Sequence, residues 1–236
     1  MNYQEQLKTV REIAKEYADI VTSERHAKMH QRFKDINDLK IVRPPLNMDE
    51  IPWHEMNINH ELDCICEDPF FNAVEAYMRR IIYCEKHFKC DNLVPAYWQV
   101  PKAYMSTGNG FAVDENYIKT DDNNNIVSHC YHDVLPDEKS LEKFHLPVIT
   151  AYPDADKQNM DRAEEIFNGI LPVRLTGHGI YYAPWDTISR LRGVDNILID
   201  IYDKRYIMSL ICSIRFRLRR SALIHTMVAV KLCMTE

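Results

Sequence analysis

The sequence predicts a mixed α/β chain in which a helical lead-in gives way to alternating strands and helices. Three observations carry this. Apolar residues near the start recur at helical spacing, with Leu7, Val10, Ile13, Ala14, Tyr17, Ile20 and Val21 on one face and Glu, Lys and Arg on the other. Beyond residue 90, apolar runs of strand length alternate with helical patterns, the order that builds a parallel sheet. Proline and glycine punctuate the changeovers, as at Pro172 and Gly177.

Taken in order, residues 3–22 form an amphipathic helix, which the Met29 and Phe33 pair extends through the charged, histidine-rich residues 24–36. Arg43-Pro44-Pro45 then enforces an extended turn. Pro69 opens the next helix, with Glu67 and Asp68 favouring its start and Phe70, Val74, Tyr77, Met78, Ile81 and Ile82 as its buried stripe. Residues 93–100 read as a strand, so a helix feeds a strand as in half of a β/α unit. Residues 111–119 and 126–131, separated by Asp121-Asp122-Asn123-Asn124-Asn125, make a β-hairpin. A short helix at 138–144, a second barrel-type strand at 148–152, a helix at 160–168 stopped by Gly169 and a strand at 171–176 complete the alternation. Pro184 suits the first turn of a helix that Asp186 and Thr187 favour and Gly193 ends. Asp195 can cap one more helix, whose Ile197, Leu198, Ile201 and Tyr202 share a face.

The 236 residues suffice for one large domain, and a hydrophobic fraction of 46% permits a real core. A formal net charge of -6 points away from nucleic acid, whose binders carry a basic footprint. Seven irregularly spaced cysteines are no disulfide framework and fit a reducing cytoplasm. No stretch approaches the ~18 to 20 apolar residues of a membrane span, so no membrane partner is expected. Residues 209–236 depart from the rest, with Arg215, Arg217, Arg219, Arg220 and Lys231 against the single acid Glu236. This tail reads as a truncated or frame-shifted end, or else as a basic helix for an acidic partner.

Among constellations that could carry chemistry, Cys64-Ile65-Cys66 near His60 lacks the Cys-x2-Cys spacing of a zinc knuckle and reads as small buried side chains. His129 and Tyr131 would face one way on a strand and Cys130 and His132 the other, so they do not converge on one ion. No metal ligand is assigned. Asp200 and Asp203 share a helical face, where paired charges are usually solvated. The glycine-flanked loop from 178 to 185 is the best site. His178 and Asp186 are the catalytic candidates there, while Tyr181, Tyr182 and Trp185, with Trp98 and Gln99 from the first strand, could hold a small-molecule substrate. A plainer reading also stands, in which these aromatics cap a core and Asp186 caps a helix.

The segments GHGIYYAPWD and RGVDNILIDIYDK, with RPPLNMDEIPWHEMN, CEDPFFNAVEAYMRRIIYCEKHF and LVPAYWQVP upstream, resemble the uroporphyrinogen decarboxylase superfamily over roughly residues 31–208. The resemblance implies a TIM-type (β/α)8 barrel. Such barrels need ~250 residues, so the expectation is a partial one. A helical extension would occupy 1–90, an incomplete barrel 91–208 and the basic tail 209–236. Decarboxylases of the superfamily carry a Met-Arg-Gln-Ala-Gly-Arg motif and an acid in the first strand. This chain lacks the motif and has Ala96 at the acid's place, which points away from porphyrinogen decarboxylation and towards the methyltransferase side. There the resemblance implies zinc, held by a His-x-Cys pair and a distant Cys in the later half of a full-length barrel, with no cofactor in this chain, and a corrinoid protein as partner; the open edges of an incomplete barrel point to a homo-oligomer. Porphyrinogen decarboxylation, or a catalytically inactive truncated binding or assembly piece, is the alternative.

Overall fold

A computed structural model describes residues 1–119, 127–177 and 183–203. It is mixed α/β, with seven α-helices and six short strands among the described residues. The strands pair as three two-stranded sheets, and no closed barrel forms among these residues. The chain divides into two compact units, one of Met1–Val100 with Lys157–Arg174 and one of Pro101–Asp156 with Leu175–Glu236.

Unit 1 is built on two long helices. Helix α1 (Tyr3–Val21) starts at a reciprocal capping box, in which the Glu5 N–H donates to the Asn2 side chain and the Asn2 N–H to the Glu5 carboxylate, each at 2.9 Å. Helix α2 (Glu24–Asn37) follows a Ser23 cap. A single turn, α3 (Trp53–Met56), interrupts an otherwise irregular stretch before α4 (Pro69–His87). The Asp68 carboxylate caps α4 by accepting from the N–H groups of Phe70 and Phe71, and Pro69 fills its first turn, as the sequence predicts. Helices α1 and α4 pack through Val10, Ala14 and Tyr17 of one and Phe71, Val74 and Met78 of the other, all in one core with Ile166, Phe167 and Leu171. Full burial of a large apolar side chain is worth about 1.5–3 kcal/mol, so this interface dominates the unit's stability.

Strand β1 is Trp98–Pro101 and pairs with β6 (Val173–Thr176). The Trp98 N–H donates to Pro172 O at 2.8 Å and the Lys102 N–H to Thr176 O at 2.9 Å, so the bonds advance together along both strands as in a parallel ladder. The connection includes α5 (Pro153–Phe167). The expected strand at 93–100 is shorter than its pattern suggested. Residues 91–94 are taken up by side-chain contacts to other segments, including His30, whose ring nitrogen donates to Val94 O at 3.1 Å, and Pro95 has no N–H for a ladder.

In unit 2, β2 (Tyr104–Ser106) pairs antiparallel with β5 (Ile149–Ala151). The expectation of a barrel-type strand at 148–152 is therefore corrected, because its partner runs the opposite way. Strands β3 (Glu115–Ile118) and β4 (Ser128–Tyr131) form the predicted hairpin, with Tyr117 opposite His129. The short helix expected at 138–144 is a 3-10 helix, Glu138–Lys143. Helix α6 (Pro184–Arg192) ends at Gly193, whose φ of 79° and ψ of 141° only glycine adopts readily. Helix α7 (Val194–Asp203) follows with Asp195 in its first turn. Among the described residues here, one buried cluster forms, of Leu135, Ile188, Leu191 and Ile197.

Candidate functional site

The loop singled out by sequence falls between β6 and α6. His178, Tyr181 and Tyr182 lie outside the described residues. Trp185 and Asp186 stand in the first turn of α6, which turns Ile188 and Leu191 inward and leaves Trp185 half exposed and Asp186 exposed. The N-cap position is Ala183, which makes no side-chain cap bond, and Asp186 is the acid of the first turn. A carboxylate beside an indole on an open helix start can bind a cation or an amine and accept a proton.

Trp98 and Gln99 belong to unit 1, and Trp185 and Asp186 to unit 2. The Trp98 ring is engaged inside unit 1. It stacks on Phe167 at 4.4 Å and meets Tyr17 and Tyr77 edge-on at 6.0 and 5.5 Å. Gln99, pointing the other way along the strand, is exposed.

The other constellations have definite places. On β4 the His129 and Tyr131 rings share a face and stack at 5.7 Å, with His129 paired to Glu115, while Cys130 is exposed. Asp200 turns back to the Arg192 guanidinium at 2.9 and 3.0 Å. Cys64, Cys66, Cys84, Cys90 and Cys130 are free thiols. Burial first, then the neighbouring Glu75, pushes the Cys66 thiol up to about 12, so it is protonated and no nucleophile at neutral pH. Among the described residues no group of three or more His, Cys, Asp or Glu side chains stands where it could hold a metal ion.

Two buried carboxylates went unread in the sequence. Glu75 sits on the buried stripe of α4, wholly inaccessible, and accepts the N–H groups of Ile65 and Cys66 and the Arg79 guanidinium at 2.7–3.1 Å. Burial pushes its carboxyl up, but the Cys66 N–H, Arg79 and the Ile65 N–H together outweigh that and hold it below its ordinary value. Asp91 accepts four hydrogen bonds from three groups: Arg32 at 2.6 Å, Arg43 at 2.6 and 2.8 Å, and the Leu46 N–H at 2.9 Å. Burial again opposes its ionisation, and the Leu46 N–H and Arg43 again overcome it. Glu75 was signalled by its place four residues after Phe71 and four before Arg79, a charge inside an apolar stripe. Asp91 had no local signal, because its partners lie 45–59 residues away.

No protein-family model, curated protein or solved structure matches the chain. Among the described residues no helix is long and apolar enough to cross a membrane.

Proposed function

We propose that the chain is a member of the uroporphyrinogen decarboxylase superfamily, carrying part of a (β/α)8 barrel behind a helical extension. Its chemistry is of the methyltransferase kind, moving a methyl group between a small methylated compound or thiol and a corrinoid protein in the cytoplasm. The observation that supports this beyond the sequence resemblance is that β1 and β6 run parallel, joined by a long connection that holds β2 to β5 and returns through α5, with α6 following β6. In this reading Trp185 and Asp186, in the first turn of the helix that follows β6, meet the substrate, His178 moves its proton, and Tyr181 and Tyr182 add contacts to it. The described residues supply no zinc-ligand set, so no step at a metal is assigned to them.

The test is methyl transfer from methylated thiols to a reduced corrinoid protein, followed by the corrinoid absorption spectrum. It uses this chain and any longer product obtained by retranslating its DNA in the other frames past residue 208. Transfer above the protein-free rate supports the reading. Carbon dioxide release from a porphyrinogen would move the reaction to decarboxylation, and the absence of both from both proteins would sink it.

One observation favours the assembly reading. Helix α7 leaves Val194, Leu198, Ile199, Ile201 and Tyr202 between 55% and 85% exposed, an apolar face that a second copy or another protein would cover. Sedimentation settles this point, since a strictly monomeric species at micromolar concentration removes it.

A further inference from the structure

Unit 1 carries a cleft of about 450 Å³ lined by Glu24, Arg25, Lys28, Met29, Arg32, Arg43, Lys89 and Asp91. Five cations meet two carboxylates there, in a chain whose net charge is -6. The carboxylates do not use up the cations. Asp91 takes four hydrogen bonds from three groups, one nitrogen of Arg32, one of Arg43 and the Leu46 N–H; Arg43 Nη1 also donates to Pro44 O at 3.1 Å, and further guanidinium N–H groups remain on both arginines. Arg25 is held by Glu85 and by Cys90 O. Among the described residues Lys28 pairs with Glu24 alone, and the two side chains are 70% and 82% exposed and therefore weakly bound. The Lys89 ammonium has no hydrogen-bonding or ion-pair partner among the described residues.

Lys89 is also conformationally unusual. It follows the end of α4 with φ at 48°, and its N–H donates to Cys84 O at 3.0 Å. This is the position past a helix end where glycine is strongly favoured, because a side chain there is strained. The sequence keeps a lysine and places its charge on the cleft. A strained residue that also supplies an unmatched charge is a mark of a ligand site.

We infer that this cleft binds a phosphate-class oxyanion, held by Lys89, Lys28 and the remaining guanidinium N–H groups of Arg32 and Arg43. The charges come from three directions: helix α2, the segment at residue 43 and the end of α4. That arrangement suits a tetrahedral group with several oxygens and two negative charges better than a planar carboxylate, which one guanidinium satisfies. The volume falls within the ~300–1,000 Å³ of small-molecule pockets, enough for a phosphorylated metabolite.

The decisive experiment titrates the full chain with inorganic phosphate, pyrophosphate and acetate by calorimetry, alongside the Lys89→Gly and Lys28→Gln variants. Lys89→Gly separates binding from folding, since it relieves the left-handed backbone while removing the charge. It should melt no lower than the parent and bind pyrophosphate at least about tenfold more weakly, the loss of one charged hydrogen bond. Lys28→Gln should weaken binding by a smaller factor, and added salt should weaken the parent. No saturable binding of phosphate or pyrophosphate, unchanged affinity in Lys89→Gly, or acetate bound as tightly as phosphate would each overturn the inference. None of these outcomes bears on methyl transfer, which the inference does not use.

Discussion

Each of the two units has an arginine–carboxylate hub, but the hubs do different work because the cores around them differ. In unit 1 a continuous apolar core already joins α1, α4 and residues 166–171, and Asp91 and Glu75 add the attachment of residues 40–66, which form almost no regular structure. Among the described residues of unit 2 the buried cluster is four residues, and Arg192, itself 11% exposed, ties Asp133, Leu135 O and Asp200 together beside it. A hub added to a core secures an appendage. A hub standing beside a small core is a large part of what there is to hold.

Substituting the hubs one at a time sharpens that contrast. Asp91→Ala strands two guanidinium groups and frees the Leu46 N–H, so it should cost about 3–5 kcal/mol. Because the α1–α4 core remains, hydrogen exchange should accelerate first at residues 40–66. Arg192→Ala leaves two less buried carboxylates unpaired and should cost about 2–4 kcal/mol. Its exchange increase should spread over α6, α7 and residues 133–135 together. If Arg192→Ala loosened only its immediate neighbours, the distinction between the two hubs would fail.

A smaller effect probes the joint between α6 and α7. Gly193 combines positive φ with an extended ψ, and a Cβ added there would lie 3.2 Å from Tyr131 O. Gly193→Ala should therefore cost about 1–3 kcal/mol, read as a lower melting temperature with α1 and α4 exchange unchanged.

What the sequence disclosed follows the range of each interaction. Helices α1, α4 and α6 were legible because Asp68-Pro69, Pro184 and Gly193 are local signals and the apolar periodicity is set within a few turns. The β3–β4 hairpin was legible for the same reason, its two strands being separated only by a polar turn. The pairing of β2 with β5 was not, since 42 or more residues separate their partners and nothing in residues 148–152 distinguishes a parallel from an antiparallel neighbour. Of the proposed site, Trp98 shows the limit most clearly. An aromatic at a strand end suits a ligand or a core equally by sequence, and its contacts with Phe167, Tyr17 and Tyr77 are set by residues 21 to 81 positions away.

The gentlest way to divide unit 1 from unit 2 is by pH. His26 is 3% exposed on α2, and its ring Nδ1 has no hydrogen-bond partner. Burial lowers its pKa; Glu85 pulls it back up, and Arg25 and His30 push it further down. In the unfolded chain the imidazole takes a proton near its ordinary value of about 6.5, whereas the folded chain resists until lower pH. The stability it contributes is therefore complete above that value and lost as the pH falls towards the folded pKa. Glu75 and Asp91 are also depressed, but their ordinary values are near 4, so their contribution is lost only in stronger acid. Unit 1 should weaken in two separated steps, followed by the exchange of α1 and α4 amides. His26→Leu should remove the mild-acid step and leave the stronger-acid step in place. A mild-acid step that persists in this variant would mean that another group, not the buried imidazole, couples α2 to the proton.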